Sequence, residues 1–207
     1  MANLIRGEIL AGNLKANQPL LERNIAEELG VSRTPVREAL FVLQGEGLVE
    51  LVPRKYARVR AITFDEVTQI YSLRRVVEAH SAETAARTAE PPAILNIETA
   101  LIRQKNLGAN CTALEQMEAD LAFHAAIAAA PGNNLLQTVS NQILAYTAAL
   151  RSRAKYNAAQ TKRALSQHDA ILQAIKARQP DVAGRLMTEH IESSTRYIEN
   201  KTALEAS

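Results

Sequence analysis

Four histidines occur among the 207 residues: His80, His124, His168 and His190. Three of them fall on the apolar stripe of the helix that each segment predicts. His124 follows Met117, Asp120 and Leu121 and precedes Ile127; His168 sits among Leu165, Ile171, Leu172 and Ile175; His190 goes with Leu186, Met187 and Ser194. Asp120 comes one turn before His124, so both project from one face. A carboxylate or an imidazole nitrogen buried without a partner is costly. Three helices that each aim such a group inward can satisfy all four at one cation. The expected species is a divalent metal on Asp120, His124, His168 and His190. Zinc comes first, and nickel, copper, iron or manganese also suit this mixture of imidazole and carboxylate. On a six-coordinate ion, four protein ligands would leave two positions open, enough for a bidentate carboxylate. The ordinary alternative is three hydrogen-bonded core histidines. His80 has no acidic partner at ligand spacing on an apolar stripe and reads as a surface or interface residue.

A second constellation is cationic. Residues 30–60 hold Arg33, Arg37, Arg54, Lys55, Arg58 and Arg60 against Glu38, Glu46 and Glu50, although the whole chain carries only +2. A local positive patch suits a polyanion, whose counterions are released on docking. Arg33 and Arg37 lie one turn apart near a predicted helix N-terminus, on a face adjoining the apolar stripe Val36, Ala39, Leu40, Leu43. An arginine fork there can bridge O6 and N7 of guanine, and Thr34 can reach a phosphate or a base. Arg54 and Lys55, in a predicted turn, suit the flanking phosphates or the minor groove. The alternative is a helical hairpin whose two surface arginines happen to lie close together.

The elements that must position these groups can be read from the punctuation. Leu4 to Leu10 predicts a first helix, and Leu21 to Leu29 a second that Gly30 stops. Ser32 is placed to cap a third, running to about Glu46, with Pro35 in its first turn where the missing N–H costs little. Leu48–Val52 and Ala57–Arg60 read as strands joined by a turn at Pro53–Tyr56. Helix, tight turn, capped helix and β-hairpin is the winged helix-turn-helix order. From Thr63 the chain reads as six helices: Thr63 to about Glu90, Pro91 to about Gly108, Thr112 to Ala130, Asn133 or Asn134 to about Tyr156, Thr161 to Arg178, and Pro180 or Asp181 to about Asn200. Glu66, three residues after Thr63, completes a capping box. Short links between long helices imply an antiparallel bundle. The expected fold is mainly α: a winged helix-turn-helix over residues 1–61 and a six-helix antiparallel bundle over 62–207.

The bulk properties fit this outline. An apolar fraction of 47% is enough for a real core. No run of about 18 apolar residues occurs, so no membrane span is expected. The start has no apolar core of signal-peptide type. A single cysteine, Cys111, excludes an internal disulfide framework and suits a reducing compartment, so the expected location is cytoplasmic.

The stretch Leu29-Gly-Val-Ser-Arg-Thr-Pro-Val-Arg-Glu-Ala-Leu40, with Glu46-Gly-Leu-Val49 after it, resembles the signature of the GntR family of bacterial regulators. The resemblance implies DNA contacts by Arg23, Arg33 and Arg37, with Ser32, Thr34 and Pro35 in supporting places. Two positions depart from the family: Ala16-Asn17 stands where Pro-Gly is common, and Tyr56 where the wing usually has glycine. The family's minor-groove contact by the wing loop is therefore not carried over. Residues 63–200 resemble the FCD ligand-binding domain of the FadR-type subfamily, and Asp120-x-x-x-His124, His168 and His190 match its metal-site pattern. Six helices rather than seven suggest the VanR-like branch. This resemblance implies a metal that holds a carboxylate effector. Arg74, on the inward stripe Val67, Ile70, Arg74, Val77, is the candidate to pair with that carboxylate, and Arg75 a second. The alternative for Arg74 is a salt bridge to Glu78.

The implied function is a ligand-responsive transcriptional regulator that binds a palindromic operator in double-stranded DNA as a homodimer. A metal-dependent enzyme would want a general base or acid beside the ion. No further carboxylate at motif-like spacing offers one, and a DNA reader would be left unexplained. A purely structural metal would favour a closed tetrahedral site.

Overall fold

The computed structural model describes residues 1–52, 56–61, 63–108, 110–151 and 156–205. The first region holds α1 (Ala2–Leu10), β1 (Pro19–Leu20), α2 (Glu22–Leu29), α3 (Arg33–Gly45), β2 (Val49–Val52) and β3 (Tyr56–Val59). Six helices follow: α4 (Phe64–Thr88), α5 (Pro91–Lys105), α6 (Ala113–Ala129), α7 (Asn134–Arg151), α8 (Ala158–Lys176) and α9 (Pro180–Glu205). This is the mainly α order expected from the sequence.

The reader region folds around the apolar stripe of α3. Val36, Ala39, Leu40 and Leu43 are all buried, together with Ile5, Ile9 and Leu20. Helix α2 ends where Gly30 turns left-handed (φ 65°), which lets the Val31 N–H reach back to the Ala26 carbonyl at 3.0 Å. Ser32 occupies the N-cap position of α3 in extended conformation, but its side chain makes no capping hydrogen bond. The reason lies in the sequence itself. Pro35 is the third helical residue, so one of the two N–H groups that a cap accepts from is missing.

The hairpin β2–β3 pairs antiparallel with Leu51 opposite Ala57. A third strand, β1, joins the free side of β3 in the order β1-β3-β2, with Leu20 opposite Ala57. Two residues carry no periodicity, so nothing in the sequence announced this strand. Pro19 is tolerated because it lies on the sheet edge. Asn17 leads into β1 at φ 64°. Asparagine tolerates that region better than most residues, which is how Ala16-Asn17 stands in for Pro-Gly.

In the bundle, α4 packs along α9, α5 against α6 and α8, α6 against α7, and α8 against α9. The capping box that opens α4 is formed: the Glu66 N–H donates to Thr63 Oγ1 at 3.3 Å, and the Thr63 N–H to Glu66 Oε2 at 2.9 Å. An equivalent box of Thr112 and Glu115 opens α6. One apolar core runs through the bundle from Val67 and Phe123 to Ile175 and Ile198. The core of the reader does not stop at its own boundary. Met117 and Leu121 of α6 and Leu144 of α7 belong to it.

The two regions also meet at Tyr146 of α7. Its ring lies against Gly47, and the Arg60 guanidinium stands 5.4 Å from the ring centroid. Gly47 has φ 73°, and a β-carbon there would overlap the ring. Gly47→Ala therefore combines a strained backbone with overpacking and should destabilise the chain by about 1–3 kcal/mol. The urea midpoint measures this, and an unshifted midpoint would mean that the contact with Tyr146 does not constrain the fold.

Candidate functional site

The stripe expected on α6 is inward-facing: Met117, Asp120, Leu121, His124 and Ile127 are all buried. His168 of α8 and His190 of α9 meet it from the other side. Asp120 and the three histidines are each at most 2% exposed. One ring nitrogen from each of His124, His168 and His190 lies within 4.8 Å of the other two. His168 Nε2 and His190 Nε2 are 3.2 Å apart. Phe123 stacks on His168 with centroids 4.2 Å apart, which fixes that ring's plane. His80, by contrast, lies exposed on α4.

Neighbouring groups decide which ring nitrogens are bare. Arg151 Nη1 donates to Asp120 Oδ2, and Gln104 Nε2 donates to Asp120 Oδ1 at 2.9 Å. A carboxylate only accepts, so the amide nitrogen of Gln104 must face Asp120 and its Oε1 must face His168. That oxygen lies 2.8 Å from His168 Nδ1. His168 therefore carries its proton on Nδ1 and presents a bare Nε2. His190 Nδ1 lies 3.1 Å from Gln167 Oε1, an arrangement that supports the same tautomer. His124 Nδ1 lies 2.5 Å from Glu78 Oε2, close but not aligned as a hydrogen bond. His124 Nε2 has no hydrogen-bond partner among the described residues.

Electrostatics keep the His168 and His190 rings neutral. Burial pushes His168 down to about 3, against the opposing pull of Asp120. Burial, then the neighbouring histidines, holds His190 well below its usual 6.5. Burial would raise the Glu78 carboxyl, but Arg74 and His124 outweigh it and hold it at about 2. Burial likewise opposes ionisation of Asp120, and Arg151 overrides it. Two lone pairs 3.2 Å apart repel unless a proton or a cation lies between them. The donor set suits a cation: converging imidazole nitrogens, each ring with an acceptor behind its other nitrogen. Asp120 stands 3.9 Å from both His124 Nε2 and His168 Nε2. Its oxygens are already engaged by Gln104 and Arg151, though a carboxylate has further lone pairs to offer.

The structure separates the two arginine candidates. Arg74 is buried, donates from Nε to Glu78 Oε1 at 2.6 Å and leaves Nη2 without a partner among the described residues. The salt bridge is thus made, and one donor remains. Arg75 is exposed, 3.4 Å from Glu192, and lies in a surface groove with Thr195 and Arg196 away from the imidazoles. Gln104, Gln167 and Arg151 were not anticipated. The signal for Gln104 and Arg151 was the one that revealed the histidines, a polar residue on an apolar stripe. Gln104 follows Ile97, Ala100 and Leu101, and Arg151 follows Leu144 and Thr147.

At the other end of the chain, Arg23, Arg33 and Arg37 line one groove of about 630 Å³ with Phe41, Leu51 and Tyr56. Ser32, Arg33 and Thr34 are exposed at the start of α3, and Pro35 is half-buried. Arg37 forms a two-pronged pair with Glu22, at 2.8 and 2.7 Å. Arg23 lies 3.7 Å from Glu27. Arg54 and Lys55 lie outside the described residues.

Comparison with known proteins agrees with both halves. Residues 1–59 match the bacterial regulatory proteins of the gntR family, and residues 69–193 match the FCD domain. The chain is 28% identical to the Glc operon transcriptional activator of Escherichia coli (strain K12), over 92% of this chain and 84% of that protein. It is 30% identical to the Uxu operon regulator of Haemophilus influenzae, over 93% and 78%. It is 26% identical to the gluconate operon transcriptional repressor of Bacillus licheniformis, over 95% and 82%. Among solved structures, a GntR regulator from Rhodococcus sp. RHA1 superposes with a TM-score of 0.80 at 24% identity, covering 95% of this chain and 94% of that one. The structure of E. coli McbR/YncC gives 0.79 at 20%, covering 97% and 96%. These structural likenesses show a shared fold. The matched family and the named relatives are transcriptional regulators, not enzymes. On these grounds the chain belongs to the gntR family of bacterial regulatory proteins and is a DNA-binding transcriptional regulator with an FCD domain behind its helix-turn-helix.

Proposed function

We propose that residues 1–61 read a palindromic operator as part of a homodimer, and that residues 62–207 sense a small carboxylate at a divalent metal. His124, His168 and His190 hold the ion through Nε2, with Asp120 as a fourth ligand, and zinc is the leading candidate ahead of nickel, manganese or iron. The bare, converging Nε2 atoms are the observation that carries this reading. Bound there, the metal supplies a Lewis-acid seat for a carboxylate. Arg74 Nη2, without an acceptor among the described residues, is the protein's own donor for the effector. Two relatives are named for the gluconate operon, and gluconate is a carboxylate.

In the reader, α3 enters the major groove. Arg33 and Arg37 take base edges or phosphates, Arg23 and Thr34 the flanking backbone, Ser32 and Pro35 shape the helix start, and Arg54 and Lys55 follow the adjoining DNA. Two-fold protein symmetry matches two-fold half-sites. Leu73 and Val76, 55% and 65% exposed on α4, offer an apolar face that a second copy would cover. No described helix is long and apolar enough to cross a membrane, and a DNA reader works where the DNA is, in the bacterial cytoplasm.

Gln104→Leu removes the acceptor that fixes the His168 tautomer. It should weaken metal affinity by roughly 10–100-fold, as loss of outer-shell partners typically does. Competition against a chromogenic chelator measures this, and unchanged affinity would deny Gln104 its orienting role. Arg37→Ala should weaken operator binding by roughly tenfold or more and relax one base position, read by anisotropy on operator and scrambled duplexes. Equal preference before and after the change would remove α3 as the recognition helix. In the ultracentrifuge the purified protein should sediment as a dimer at micromolar concentration. A strict monomer would contradict the palindromic reading.

A further inference from the structure

The buried cluster already pairs its fixed charges: Asp120 with Arg151 and Glu78 with Arg74, each at most 3% exposed. A divalent ion adds two positive charges in a site that water hardly reaches, and burial penalises uncompensated charge heavily. A single carboxylate would offset only half of that excess.

Three further donors in the same neighbourhood lack an acceptor among the described residues: the Tyr71 hydroxyl, Arg74 Nη2 and Arg151 Nε. Buried donors left unmade are expensive, so three in one place mark a missing partner. The Arg74 guanidinium stands 5.0 Å from the ring centroid of Tyr71, one turn back on α4. Arg74 reaches the imidazoles through Glu78, which touches His124, and Arg151 reaches them through Asp120. The donors therefore flank the metal ligands.

Building on the metal-bound carboxylate reading above, we infer that the effector is a small dicarboxylate. One carboxylate lies on the metal and the other accepts from Tyr71 Oη, Arg74 Nη2 and Arg151 Nε. Its two charges cancel those of the ion, and its second group supplies the acceptor that the three donors lack. A cleft of about 640 Å³ runs from Lys105 and Lys162 to Gln104, Asp120 and Tyr156, and so reaches the cluster at its Asp120 side. Lys105 is paired with Asp169, which leaves Lys162 as the stronger attractant at the rim.

The test is calorimetry on the full-length, zinc-loaded protein with succinate and glutarate, the monoacids butyrate and valerate of the same chain lengths, and inorganic phosphate. The better diacid should bind at least about tenfold more tightly than its matching monoacid, the gain expected of added charge-assisted hydrogen bonds. Tyr71→Phe should cost the diacid more affinity than the monoacid while zinc content holds. Equal binding of diacid and monoacid would overturn the dicarboxylate inference and leave the metal-bound carboxylate standing. Phosphate matching the better diacid would overturn the two-point arrangement, because a compact dianion cannot span it. If no acid binds the zinc-loaded protein, the carboxylate-sensing reading fails and this inference fails with it.

Discussion

The Asp120 carboxylate, held between Arg151 and Gln104, is the constraint on which the rest of the site depends. An ionised aspartate buried in a helical bundle would be intolerable alone. With a guanidinium on one oxygen and an amide on the other, it becomes a fixed acceptor. The consequence passes outward by simple donor logic. Gln104 must turn its nitrogen to Asp120 and its oxygen to His168, and His168 must then keep its proton on Nδ1. The bare Nε2 that faces His190 is thus set by residues on α5 and α7, neither of which carries a histidine of the cluster.

The same helices that build the site also build the reader's core. On α6, Asp120 and His124 point to the imidazole cluster, while Met117 and Leu121 pack with Leu40, Leu43 and Leu48. On α7, Arg151 reaches Asp120, Leu144 joins the reader's core and Tyr146 lies against Gly47. Close-packed interiors transmit displacement rather than absorb it. A ligand that draws α6 or α7 by a fraction of an ångström toward the site therefore moves side chains on which the reader rests. Regulation requires only that the ligand favour one placement of the reader over another. If the site senses a ligand as proposed, the shared helices join it to the reader without a separate relay.

What the sequence made legible follows from where the signals are local. Helix starts came within three residues because caps and prolines act on adjacent backbone, as Thr63 with Glu66 and Pro91 illustrate, whereas the ends of α7 and α9, expected near Tyr156 and Asn200, fall at Arg151 and Glu205. The three inward histidines were legible because polar residues on apolar stripes need an explanation. Gln104 and Arg151 sat on equally apolar stripes, but an amide or a guanidinium has many ordinary explanations, and their shared partner Asp120 lies 16 and 31 residues away. Strand β1 was invisible because Pro19 and Leu20 acquire strand geometry only from β3, far along the chain. The absent Ser32 cap was legible in principle, since Pro35 lacks the N–H that such a cap would accept from. The Arg74–Glu78 pair was one of two readings at the outset, and it coexists with a spare donor because a guanidinium has five N–H groups.

The reader's own electrostatics complete the picture. Without DNA, the Arg37 fork is occupied by Glu22 of α2, and both side chains line the groove beside Arg33. An exposed ion pair of this kind is weak, so exchanging it for another partner is cheap. The competition is not neutral toward sequence, however. A phosphate gives Arg37 a charge like the one it leaves and brings a second anion up to Glu22. A guanine edge offers two neutral acceptors matched to the fork and leaves no like charge against the carboxylate. On the proposed reading of α3 as the recognition helix, Glu22 weighs against non-specific backbone contact more than against base contact. An acidic residue in that groove would then sharpen specificity, because it makes the generic polyanion interaction the more expensive of the two.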